Sequence, residues 1–282
     1  MENKIKDWLL KTGYPLELYV QQELMLKGYF CDKSSLYRDL ESDISRELDV
    51  VAYKSPVIGN DIPCTYEINL LIECKKSEKP LVVLTSNTDL EYRFTTLYGS
   101  ELTNKETPAL SLITYCDMLD LCDLDKKNQL NLFGEKALVG YSIVTSFSKS
   151  DENIYKGLMG LSKANEYFRN QYLEFFKSIR TDESVNFEDS FHYKLQIPVL
   201  VVDCPLFNSY LNSEGELVVQ ETLWANVELK LPWLTGSYEE ERGCSIQVVT
   251  KNFFPTFLAD LEGVANFSSV DSRLSKAISL NT

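Results

Sequence analysis

One histidine in 282 residues removes more chemistry than any other feature of the composition. Binuclear imidazole metal sites, H-E-x-x-H proteases and zinc deaminases need more imidazoles, or histidine with paired cysteines. His192 stands in Ser190-Phe191-His192-Tyr193-Lys194, entering an apolar strand, and reads as a partly buried structural residue. No G-x-x-x-x-G-K-[ST], G-x-G-x-x-G or G-x-S-x-G occurs. Phosphate cradles for ATP or dinucleotides are therefore not encoded. The seven cysteines (31, 64, 74, 116, 122, 204 and 244) are odd in number and include no C-x-x-C. That excludes a disulfide framework and a zinc ribbon, and implies buried free thiols in a reducing compartment.

No apolar run nears the ~20 residues of a membrane span, and the mixed-charge N-terminus lacks a signal-peptide pattern. The expectation is a cytoplasmic protein that engages no membrane. Basic charge is also short: 28 Lys and Arg stand against 42 Asp and Glu, a net charge of −14. Phosphate neutralisation supplies most nucleic-acid affinity, so this balance argues against strong unaided binding. It leaves room for a local basic groove or for a protein partner that delivers or activates the chain. The remainder is ordinary globular composition, 44% hydrophobic and 25% charged, ample for a real core.

Taken in order, residues 2–11 predict an amphipathic helix with Ile5, Trp8 and Leu9 on one face, stopped by Gly13. Pro15 suits the first turn of a second helix, running to Lys27 and closed by Gly28. Tyr29-Phe30-Cys31 starts an edge strand, and the polar stretch 32–45 leads into a strand over 46–53. Further strands are expected over 68–76 and 81–84, then at 141–147. A long helix over 151–179 precedes the apolar strand 195–202, a hairpin turning at 212–215, and strands at 225–231 and 244–250. Helical turns follow over 255–261, with a weakly ordered Ser-rich tail beyond 267. Segment 85–140 matches no recognisable unit, and its acidic run 117–125 has the composition of an exposed helix. With no interdomain linker, one α/β domain with a central mixed sheet flanked by helices accounts for residues 1–282. Residues 14–84 carry the motif core, 85–140 an insertion, and 141–255 the remaining helix and strands, including a C-terminal hairpin extension.

Two strands carry charge where their flanks are apolar: Arg46-Glu47-Leu48-Asp49-Val50-Val51 and Leu70-Leu71-Ile72-Glu73-Cys74-Lys75-Lys76. Alternation turns Glu73 and Lys75 to one face and Leu70 and Ile72 to the other. Pairing as a hairpin would bring Asp49 beside Glu73. Glu17 shares the stripe of Val20 and Leu24 on the second helix, which adds a third carboxylate. Hard cations such as Mg²⁺ or Mn²⁺ take oxygen ligands, so Asp49 and Glu73 are the expected metal ligands, with Glu17 auxiliary and the Cys74 backbone carbonyl available. Lys75 is expected to stay charged, because adjacent carboxylates oppose the ~3-unit pKa drop that a neutral base requires. E-x-K itself is a weak signal, since Glu2-Asn3-Lys4 and Glu228-Leu229-Lys230 also carry it. The second lies on a strand whose Pro232 points to a sheet edge, and no aspartate strand precedes it.

The order of Tyr14-Pro15-Leu16-Glu17, then Arg46-Glu47-Leu48-Asp49, then Ile72-Glu73-Cys74-Lys75 resembles the PD-(D/E)xK, restriction-endonuclease-like nuclease superfamily. Leu48 stands where the motif's name has proline. The resemblance covers residues 14–84 and implies an αβββαβ core and Mg²⁺-dependent hydrolysis of phosphodiester bonds in DNA. It implies a restriction or anti-phage defence component, with Asp49 and Glu73 as ligands, Lys75 catalytic and Glu17 the auxiliary acid. Lys76, Lys79, Lys156, Lys163 and Arg169 are then candidate phosphate contacts. The alternatives are a non-catalytic interaction module keeping this fold, and an enzyme acting on another phosphate substrate.

Overall fold

The structure is a computed structural model describing residues 1–55, 64–85, 99–103, 111–114, 139–148, 152–180, 191–230 and 243–265. The acidic run 117–125 and the tail beyond 267 lie outside these residues.

Four helices are described: α1 (Glu2–Leu9), α2 (Tyr14–Leu26), α3 (Glu152–Arg180) and α4 (Phe254–Ala265). Twelve strands join one mixed sheet: β1 (Phe30–Asp39), β2 (Ile44–Lys54), β3 (Cys64–Lys76), β4 (Leu81–Thr85), β5 (Gly99–Thr103), β6 (Ser111–Thr114), β7 (Val139–Thr145), β8 (Phe191–Asp203), β9 (Leu206–Leu211), β10 (Leu217–Thr222), β11 (Trp224–Lys230) and β12 (Gly243–Thr250). Their order is β1-β2-β3-β8-β12-β11-β7-β4-β9-β10, with β5 on β8 and β6 on β5. The expected α/β class with a mixed sheet is present.

β1, β2 and β3 form an antiparallel meander. The chain then makes its long excursion, returns through α3, and lays β8 parallel to β3 over their whole lengths. β8 is the sheet's interior: Gln196 through Val202 are all buried, Pro198 included, as a strand covered on both faces requires. Two hydrophobic layers sandwich the sheet. On one face, Leu16, Val20 and Leu24 of α2 and Phe254, Phe257 and Leu258 of α4 pack on Val50, Leu70, Ile72, Ile197 and Val199. On the other, Ile154, Leu158, Leu161 and Ala164 of α3 pack on Leu48, Leu71, Leu200, Val202 and Val248. Each Val, Leu, Ile or Phe among them contributes about 1.5–3 kcal/mol of burial.

Three expectations change. β1 runs ten residues, far beyond Cys31, because Ser35, Tyr37 and Asp39 turn inward while their neighbours face solvent. β4 does not continue the β2–β3 series; it pairs with β7 and β9 in the far half of the sheet. Five strand spacings of ~4.8 Å separate β3 from β4, yet the chain from Lys76 to Leu81 reaches only about 17 Å. The sheet must curl, and Leu81 and Val83 accordingly share a core layer with Leu71 and Leu200. Finally, β11, bearing the second E-x-K, lies between β12 and β7 and not at an edge. Cys31, Cys74, Cys204 and Cys244 are free thiols among the described residues, but only Cys74 and Cys244 are buried.

Candidate active site

β2 and β3 pair from Lys54↔Ile68 to Val50↔Ile72 and there separate. β2 continues beside β1 to Ile44, while β3 continues beside β8 to Lys76. Asp49 and Glu73 are the first residues past the split, one on each prong. Ser34, the β1 residue skipped opposite Asp49, takes a left-handed φ of 53°. The fork frees backbone groups that a continued ladder would have used. One is recaptured locally: the Cys74 N–H donates to Asp49 Oδ2 at 2.7 Å.

Alternation sends Ile72 and Cys74 into the layer under α2 and α4, and turns Glu73 and Lys75 toward α3. Lys75 Nζ donates to Glu73 Oε1 at 2.5 Å. Gly157 of α3 lies directly over the pair. A Cβ there would stand 3.1 Å from Lys75 Cε and 3.7 Å from Glu73 Cγ. Glu17 sits in the first turn of α2, beside the buried stripe of Leu16, Val20 and Leu24, and is itself half-buried.

The charges act on one another. Burial pushes the Glu73 carboxyl up, Asp49 and Glu17 add to it, and Lys75 only partly opposes, leaving it at about 7. Asp49 is raised by burial against the pull of the Cys74 N–H and Lys75. Glu17 is raised by burial, then by Asp49 and Glu47. Burial favours a neutral Lys75, but the charge and hydrogen bond of Glu73, with Asp49, outweigh it and keep the ammonium charged. Glu17, Asp49, Glu73 and Lys75 thus form one electrostatic cluster where α2, β2 and β3 meet.

Comparison with family models, curated proteins and solved structures returns no match. Among the described residues, no three His, Cys, Asp or Glu side chains form a group that could hold a metal ion. Asp49 and Glu73 remain a pair of hard oxygen donors, each destabilised as an anion by burial.

The candidate phosphate contacts divide. Lys76 and Lys79 are exposed beside the site, with Nζ donating to the Leu10 carbonyl at 2.5 Å and to the Phe147 carbonyl at 2.9 Å. Lys156 is exposed on α3. Lys163 instead holds the buried Asp39 at 2.9 Å and Glu41 at 2.7 Å, so it fastens α3 to the β1–β2 turn. Arg169 lies 3.6 Å from Glu166 on its own helix.

Two contributors escape the sequence reading. Gly157 leaves a trace, since glycine inside a helix costs about 1 kcal/mol against alanine and implies a packing reason. Tyr37 leaves none, because its strand looks like a polar loop. Its buried hydroxyl lies within reach of Gly160 and is pushed up to about 12 by burial, with Glu73 contributing.

Proposed function

We propose that the chain is a metal-dependent nuclease that hydrolyses phosphodiester bonds in DNA, with Mg²⁺ or Mn²⁺ held by Asp49 and Glu73. The observation that carries this reading is the fork, which brings two carboxylates and a lysine together where β2 and β3 part. The order α2, β1–β2–β3 meander, α3, parallel β8, with β4 to β7 coming between β3 and α3, supports it, since the resemblance implies an αβββαβ core.

The donor set fits a hard cation. Two carboxylates plus substrate phosphate and water suffice for Mg²⁺, and their raised pKa values, caused first by burial, mark anions that a cation would stabilise. When bound, the ion polarises a phosphoryl oxygen and offsets charge on the leaving oxygen. Glu73 Oε1 is occupied by Lys75, which leaves Oε2 for the ion. Lys75, held charged, donates to the attacking water and to the negative charge growing on the phosphate. Glu17 is the auxiliary acid. A role in restriction or anti-phage defence, with a partner delivering this acidic chain, follows the resemblance by analogy.

Cleavage of supercoiled plasmid in Mg²⁺ or Mn²⁺, lost in Asp49→Ala, Glu73→Ala and Lys75→Met, is the expected result. A second reading, a non-catalytic interaction module, is favoured by the short Lys75–Glu73 pair, which satisfies both groups without a ligand. A folded protein that cuts neither duplex nor single-stranded DNA nor RNA with either metal, with or without cell extract to supply an activator, would favour that second reading.

A further inference from the structure

We infer that the mouth of the fork is a stacking surface for an unpaired nucleic-acid strand, an inference that rests on the nuclease reading and names its substrate class. Three aromatic rings stand exposed within a few residues of contacts that reach the site. α1 buries none of its residues and leaves Trp8 60% exposed. The bond from Lys76 Nζ to the Leu10 carbonyl fixes the end of that helix one residue along from Lys75. Tyr14 opens α2 three residues before Glu17 and is 55% exposed.

Phe147 is the most telling. It is 91% exposed and adopts φ 54°, a left-handed conformation disfavoured for a bulky L-residue. Its carbonyl is held by Lys79 Nζ, so the turn is fixed against the loop that leaves β3. Neither core packing nor turn geometry calls for phenylalanine there, since the ring touches solvent and glycine would fit the backbone without strain.

Charge agrees. The whole chain is strongly acidic, but outside the Glu17, Asp49 and Glu73 cluster, residues 1–15 and 76–80 together carry five lysines against three carboxylates. Aromatic rings interleaved with lysines suit a strand whose base faces are open, because stacking needs an exposed π-face and lysine takes the phosphates. A duplex offers phosphates but hides those faces.

Equilibrium anisotropy in EDTA with the full chain separates the cases, using dye-labelled oligo(dT) or oligo(U) of about twenty nucleotides and a blunt duplex of equal length. The single strands should bind about tenfold or more tighter than the duplex. Trp8→Ala and Phe147→Ala should each weaken strand binding about tenfold, with duplex binding and thermal unfolding unchanged. Duplex binding as tight as strand binding, or both variants binding like the parent, would overturn the inference. Metal-dependent duplex cleavage alongside ring-independent binding would sink it while leaving the nuclease intact. Ring-dependent strand binding without cleavage under either metal would do the reverse.

Discussion

Asp49 Oδ2 accepts the backbone N–H of Cys74 at 2.7 Å, bridging β2 and β3 just past the point where their ladder ends. One carboxylate oxygen thus closes the fork, and in the proposed reading the other holds the metal. The two roles can be separated by substitution. Asp49→Asn keeps an oxygen acceptor and should unfold at nearly the parent denaturant midpoint, while cleavage is abolished. Asp49→Ala strands the Cys74 N–H and should lose about 1–3 kcal/mol in addition. Equal destabilisation in the two variants would show that the bridge contributes nothing.

Gly157 is expected to act on turnover before stability. Alanine there gains up to about 1 kcal/mol of helix propensity but sets a Cβ 3.1 Å from Lys75 Cε. The lysine must shift, and displacing a positioned group costs about tenfold or more in kcat. Steady-state cleavage and urea unfolding of Gly157→Ala should therefore diverge. Unchanged kcat would show that Lys75 has slack.

Asp39 supplies the pH dependence. Its side chain is fully buried, and burial alone would raise it. Lys163 at 2.9 Å, Arg46 at 2.8 Å and the N–H groups of Ser42 and Glu41 prevail and hold the carboxyl well below the ordinary range. A depressed folded-state pKa stabilises fully above the unfolded value of about 3.9 and is lost as pH falls through the folded one. Asp39→Asn should cost about 3 kcal/mol near neutrality and flatten the acid-side unfolding curve. An acid limb as steep as the parent's would contradict this.

At Gly140 of β7 the constraint is steric. An added Cβ would stand 2.3 Å from Val83 Cγ1 and 3.2 Å from the Asn226 carbonyl, where β7 joins the two halves of the curled sheet. Gly140→Ala should destabilise by about 1–3 kcal/mol in thermal unfolding, with partial recovery in the double variant with Val83→Ala. No recovery would place the strain in the backbone contact.

Much of this arrangement is legible in the chain. β3 and β8 announce themselves because short apolar runs rich in β-branched residues fit interior strands better than helices. The charges on β3 are conspicuous because the run just before them, Leu70-Leu71-Ile72, is apolar. β1 is obscured because its inward positions are Ser35, Tyr37 and Asp39, whose burial depends on Lys163 arriving from a helix more than a hundred residues away. The displacement of β4 is hidden for a similar reason: its sequence declares a strand but not its partners, and register is set by β7 and β9. Gly157 becomes meaningful only once α3 is laid over Lys75.

The most direct test of the central claim is a crystal structure of the protein soaked in Mn²⁺, read by anomalous scattering. A peak between the Asp49 and Glu73 carboxylates, absent in Asp49→Asn, is the predicted result. A fully soaked crystal with no density at that pair, or with Mn²⁺ bound elsewhere in the chain, would contradict it.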